Sequence, residues 1–382
     1  MHRACCNGKT MPIFRIFAQH DGRISKAACS SSVAVDVEPG HETGLTRPTR
    51  AKFELPTMSS FQSSFPTQWA FVLNPVVLPG IDSYELAPNL ILRKAKQHEV
   101  VAIKQTLACC VGSPFNVPRE LNYETDRHEA PNGPNSKSIN AIPLAVGDWR
   151  YHIVTNEGDQ NALYRSHLAI NATAAPLEIS ALRFVGSGLS GWRGDSASRY
   201  FRGHSPLPAS HLSIADLDEA RDTINGFEPF FNGGALCEQH PEIQRAFLMY
   251  DSLNMLPANS EFQVIGLFAI IEMMITHNPK LEDRGDSITH QMQAKLPLLM
   301  RRFRREISTK QHFGNVDAKK VWSALYSYRS ALAHGGVANF ASGPLQAIKS
   351  AEAAAEYLRS VVKGLLRHVL LEPLLFLDLK NC

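Results

Sequence analysis

Near residue 240 the spacing of apolar residues changes period, and that change restricts what the chain can fold into. From about 65 to 235, short runs rich in β-branched and aromatic residues recur: WAFVLNPVVL, NLILRKA, YHIVTN and LEISALRFVG. Pro, Gly, Asn and Asp interrupt them, as loops interrupt strands. From about 240 onward, apolar residues return every three or four positions, the repeat of helices with one buried face. Strand and helix signals do not alternate regularly, so a doubly wound sheet does not fit. The expected fold class is α+β, with a β-rich mixed domain followed by an all-α helical bundle.

Within the first part, HEVVAIKQTLACC and SIADLDEARDTINGF read as short helices, the second with Ser213 and Asp216 as N-terminal caps. SPFNVPRELNYETDRHEAPNGPNSKS reads as a long polar loop. In the second part five helices are expected. They are PEIQRAFLMYDSLNM, then about 259–277, 286–306, 317–334 and 344–371. Asp286 or Ser287 caps the third, Pro297 kinks it, Asp317 caps the fourth, and Pro373 stops the fifth. The expected domains are 58–238 and 239–382. Residues 1–57 are aperiodic and rich in Ser, Pro, Gly and Thr, the composition of a disordered tail. Met58 reads as a natural beginning, so the preceding segment is a tail or an upstream extension of the reading frame.

Composition narrows the function classes. Apolar residues make up 44% of the 382 and charged residues 20%, enough for a substantial core. The net charge is only +3, so any nucleic-acid contact must use a local basic surface. The seven cysteines include the adjacent pairs Cys5-Cys6 and Cys109-Cys110 and show no CxxC or Cys/His ligand spacing. Reduced thiols are expected, with no metal site and no cofactor. No apolar run reaches membrane-spanning length and no secretory signal is legible, which predicts a cytoplasmic protein without a membrane partner. The sequon at Asn171 is then without consequence.

Three motifs compete for a functional role. GSGLSG, Gly186–Gly191, fits a dinucleotide fingerprint, but the residues after it lack a helical period, so it reads as a loop. The Arg193-Gly194-Asp195 triplet after it carries no adhesion reading. RRFRR, with Arg301, Arg302, Arg304 and Arg305, closes an expected helix. It reads either as a solvated helix end or as a phosphate-binding patch, with Lys310, Lys319 and Lys320 nearby. Arginine followed by histidine five positions later occurs four times, at Arg15/His20, Arg93/His98, Arg199/His204 and Arg329/His334. Spacing alone therefore selects nothing. Only Arg329/His334 lies at the end of a helix with a strong apolar stripe, formed by Val321, Ala324, Leu325, Tyr328, Ala331 and Leu332. Gly335 follows as a C-terminal cap. Five helical steps turn about 500°, so the two side chains diverge by about 140° and converge best between two copies. Glu272, inside the apolar FAIIEMMI, needs a cation, and Arg329 is the candidate.

The helical segments RAFLMYDSLNM, FAIIEMMI, DSITHQMQAKLPLLMRR, YSYRSALAHGG and SAEAAAEYLRSVVKGLLRHVL, in this order, resemble the HEPN superfamily, in particular its Apea-like group. LAPNLILRKAKQHEVVAI resembles the stretch that precedes the helices in such proteins. The resemblance implies a HEPN-type bundle and a metal-independent endoribonuclease of defence or toxin type, working as a homodimer on RNA. Its motif falls on Arg329, Ser330 and His334 as catalytic residues, with Glu272 and Tyr326 in support. Ser330 stands where other families carry Asn, Asp or His, and Lys295 where the second core helix often has arginine. The alternative is a non-catalytic module that binds RNA, nucleotide or a protein, with the upstream domain as its sensor.

Overall fold

The computed structural model describes residues 67–110, 121–129, 137–159, 161–186, 188–191, 209–257, 260–277 and 287–381. The expected tail, the pairs Arg15/His20 and Arg199/His204, the Arg193–Asp195 triplet, Cys5, Cys6 and the alternative cap Asp286 lie outside them.

The architecture is α+β. Ten strands are present among the described residues: β1 Gln68–Phe71, β2 Val76–Val77, β3 Ser83–Ala87, β4 Leu90–Lys94, β5 Tyr123–Glu129, β6 Lys137–Pro143, β7 His152–Asn156, β8 Leu182–Val185, β9 Gly188–Gly191 and β10 Ser210–His211. Six form one sheet in the order β3-β4-β7-β1-β8-β9, every neighbouring pair antiparallel. β2 and β10 pair in parallel, and β5 and β6 form a separate hairpin. That hairpin corrects the expectation of a long loop. The register pairs Asp126 with Asn140 and Arg127 with Ile139, so cross-strand hydrogen bonding holds a segment whose polar composition hides it.

Helices α1 Gln97–Cys110, α2 Ala162–Asn171 and α3 Ile214–Phe227 accompany the sheet. The sequence reading missed α2, whose ALYRSHLAIN is short and buries eight of ten residues, polar Ser166, His167 and Asn171 among them. Asn171 and Thr173 of the sequon are buried at its end. α3 begins with a capping box: the Ser213 hydroxyl accepts from the Asp216 amide, and the Asp216 carboxylate accepts from Ser213.

Helices α4 Pro241–Asn254, α5 Phe262–Ile275, α6 Ile288–Met300, α7 Thr309–Phe313, α8 Ala318–Ala333, α9 Ala351–Leu371 and α10 Pro373–Asn381 complete the described fold. α5 is apolar nearly all round because it packs against α4, α6, α8, α9 and α10. Three boundaries differ from expectation. α6 stops at Met300, α9 starts at Ala351 after a 3-10 turn, and Pro373 opens α10 rather than only ending α9. Proline is well placed there, since the first helical residue needs no amide donor.

Ser64–Cys382 is one compact unit, and its main core shows no break at the expected 238/239 boundary. The sheet explains why. Side chains on β1 and β7 alternate faces. Trp69, Phe71 and Ile153 point to a small core shared with Val100 and Ile103 of α1. Ala70 and Val154 point the other way, into the core built by Leu163 of α2, Phe227 of α3, Phe247 of α4, Phe268 of α5 and Leu365 of α9. The helices therefore cover one sheet face instead of closing a separate bundle.

Candidate functional site

α8 presents the residues singled out at Tyr326–Gly336. Its first turn is capped by Asp317, whose carboxylate accepts from the amides of Lys319 at 2.9 Å and Lys320 at 3.3 Å. Val321, Trp322, Ala324, Leu325 and Tyr328 face the core. At the other end His334 is the C-terminal cap residue and Gly335 has φ +70°. The Gly336 amide donates to Ala331 O at 2.8 Å and the Gly335 amide to Leu332 O at 3.2 Å. Glycine at 335 allows this left-handed stop, which satisfies two orphan carbonyls.

Arg329 leaves the edge of the apolar stripe and meets α5. Its Nη2 donates to Glu272 Oε2 at 3.2 Å, and its guanidinium lies 5.9 Å from the centre of the Tyr326 ring. Tyr326 in turn meets Phe268 edge-on at 6.2 Å. Glu272 Oε1 and Arg329 Nε are buried without a hydrogen bond. Burial pushes the Glu272 carboxyl above its usual range, and the charge and hydrogen bond of Arg329 offset only part of that rise. One chain therefore assembles Glu272, Tyr326 and Arg329. His334 stands apart, exposed, its side chain without a hydrogen bond or ion pair among the described residues. Ser330 lies half-buried between them. Lys295 is buried on α6 and donates to Gln291 Oε1 at 3.3 Å.

The basic run lies just past the end of α6. α6 ends before it, leaving Arg301 as cap residue and the rest in a turn. Arg302 donates to Glu372 at 2.7 Å, and Arg304 to Asp222 at 2.8 Å. Arg305 donates to Asp216 at 2.8 Å and approaches Glu219 at 2.7 Å. Arg302, Arg304 and Arg305, expected from the sequence to contact RNA, are thus each paired with a carboxylate in the fold. Their guanidiniums tie this turn to α3 and to the end of α9. Glu219 is the hub: it is buried and also accepts from Arg367 and from the Ala174 amide. Arg301, Arg302 and Arg304 are exposed, and Arg301 alone of the four forms no ion pair among the described residues.

The other motifs resolve into structure. Of GSGLSG, Gly186 has φ +59° and Gly188–Gly191 form β9, so no helix starts among the motif's described residues. Arg93 grips Glu99 of α1 bidentately at 2.8 and 2.7 Å, while His98 is exposed. Burial works against the Glu99 charge, but the bonds from Arg93 and the Lys96 amide hold its pKa below the usual range.

Two polar features escaped the sequence reading. His167 of α2 is buried, with Nδ1 2.7 Å from Ile179 O and Nε2 2.9 Å from Asp251 Oδ1 of α4. A cleft of about 790 Å³ is lined by Arg93, Lys94, Trp149, Arg150 and His152. Burial, reinforced by Lys94 and Arg150, lowers the His152 pKa to about 4. Nothing local in the sequence announces either feature, because Asp251 lies 84 residues from His167 and the cleft joins the 93–94 and 149–152 segments only in the fold.

Among the described residues no three His, Cys, Asp or Glu side chains converge on a metal-sized site, and no helix is long and apolar enough to cross a membrane. No protein-family model, curated protein or solved structure matches the chain.

Proposed function

We propose that this chain is a HEPN-type module that cleaves RNA as a pair of copies, by attack of a ribose 2′-OH on the adjacent phosphate. The observation that carries the reading is the exposed His334 at the glycine-capped end of α8, one helix turn beyond an Arg329 held in place by Glu272. In the reaction the 2′ oxygen bonds to phosphorus, the bond to the 5′ oxygen breaks, and a cyclic phosphate and a 5′-hydroxyl result. His334 moves the proton from the 2′-OH to the departing 5′ oxygen. Arg329 stabilises charge on the phosphorane oxygens. The divergence of the two side chains means that one copy supplies Arg329 where the other supplies His334, with Ser330 between them. The setting is cytoplasmic, of the defence or toxin kind, and no cofactor enters the chemistry.

The test is incubation of end-labelled RNA with a chelator and with wild-type protein, His334→Ala or Arg329→Ala. Equal cleavage by wild type and His334→Ala overturns the reading. An equimolar mixture of the two variants regains part of the activity if the site is shared between copies.

The Arg329–Glu272 ion pair also supports a second reading, a non-catalytic module in which Arg329 anchors α8 to α5. On that reading wild type shows no cleavage, RNA or nucleotide binding survives His334→Ala, and Arg329→Ala lowers stability. The sheet with its cleft then serves as the sensing half.

A further inference from the structure

We infer that α8 carries a track for single-stranded RNA, entered through a cationic groove at its N-terminal end and running along its exposed face to His334. The inference rests on the RNA reading above and adds to it the residues that hold the strand.

A groove of about 730 Å³ opens where the turn after α6 passes the start of α8. Arg301, Lys310 and Lys319 line it, all three exposed and without an ion pair among the described residues. They contrast with Arg302, Arg304 and Arg305, whose charges are taken up by carboxylates. Of the groove's two acids, Asp317 is engaged as the cap of α8, leaving Glu306 uncommitted among the described residues. The floor is apolar, with Met300 and Trp322. Cations with free donors above an apolar floor suit a polyanion whose bases can turn inward.

The exposed face of α8 continues from this groove. Lys319, Ser323, Ser327 and His334 are exposed and Ser330 is half-buried. At 100° per residue all five fall within an arc of about 80°, over a length of about 22 Å. Core residues occupy the opposite arc. The Ser327 hydroxyl donates to Ser323 O at 2.9 Å, which leaves the Ser323 and Ser330 hydroxyls to donate to phosphate oxygens, as do the cations ahead of them. A strand lying in the groove thus follows the stripe to the histidine without crossing the helix. Cleavage by the 2′-OH requires a strand free to bend into line, which favours single-stranded over duplex RNA.

The probe is a fluorescent 2′-O-methyl RNA oligonucleotide, which lacks the attacking hydroxyl, titrated with full-length protein over a salt series. The test variant combines Arg301→Ala, Lys310→Ala and Lys319→Ala. A control combines Lys96→Ala, Arg245→Ala and Lys380→Ala, which removes the same charge elsewhere. Thermal melting checks that both fold. The groove variant is expected to bind at least about tenfold more weakly at low salt. Its slope of log affinity against log salt falls by about 2, from three lost phosphate contacts at about 0.7 each. The control stays within about twofold of wild type.

Equal loss in both triple variants, no loss in either, tighter binding of duplex RNA, or no binding by wild type overturns the track. The cleavage assay reports separately. If the groove variant binds normally while His334→Ala abolishes cleavage, the track fails and the nuclease reading stands. If binding depends on the groove but His334→Ala cleaves like wild type, the nuclease reading fails and the track stands.

Discussion

Replacing Arg329 with Met keeps an unbranched apolar stem and removes the charge that faces Glu272. The Glu272 side chain is 16% exposed and that of Arg329 30%. One charge-assisted bond at 3.2 Å belongs at the lower end of the usual range for such bonds, about 1.5 kcal/mol, because partly exposed partners retain some hydration. For a chain of this size that corresponds to a fall of about 2 °C in Tm.

The cost must depend on pH. Burial already holds the folded-state pKa of Glu272 above its ordinary value of 4.5, with Arg329 as the opposing influence. A carboxyl with a raised folded pKa binds more protons in the folded than in the unfolded state. Stability therefore falls as pH rises through the interval above 4.5 and stays low beyond it. Without Arg329 that interval extends upward, so Arg329→Met costs more at pH 7 than at pH 5. Glu272→Gln removes the charge that needs a partner and should reduce the cost of Arg329→Met to about 0.5 kcal/mol or less. Urea denaturation of the four proteins at both pH values provides the cycle. An Arg329→Met cost that is the same at pH 5 and pH 7, or the same with and without Glu272, would refute the reasoning.

Four further outcomes are expected. His334→Ala should leave the urea midpoint within error of wild type, because the side chain is exposed and makes no hydrogen bond among the described residues; a clear drop would show that it has a structural role. Gly335→Ala has open space around its new methyl group, so calorimetry should register only the left-handed backbone penalty at φ +70°, about 1 kcal/mol. Glu219→Gln leaves Arg305 and Arg367 without their shared carboxylate and should cost about 3 kcal/mol in chemical denaturation. His152, with its pKa lowered to about 4 by burial, binds fewer protons folded than unfolded between pH 4 and 6.5, so stability rises with pH across that window. Denaturation at pH 4.5 and 6.5 should reveal an increment on the order of 2 kcal/mol that His152→Gln lacks.

Much of the local structure is legible in the residues. The strands WAFV, LILRK and HIVTN, the Ser213/Asp216 box, the Asp317 cap and the glycine stop after His334 each follow from sterics and hydrogen bonding within a few positions. The apolar stripe of α8 and the isolated carboxylate in α5 also follow from period and composition, and together they single out Arg329. What stayed hidden has long-range partners. The β5–β6 hairpin is polar, α2 is short and buries polar residues, and the 238/239 boundary vanishes because the sheet needs the helices to cover it. The basic run is the sharpest case. Four arginines look alike in the sequence, and only the folded chain brings Asp216, Glu219, Asp222 and Glu372 against three of them and leaves Arg301 without an ion pair among the described residues. Short-range rules determine which elements form, whereas the state of a charge depends on what the fold places within a few ångströms of it.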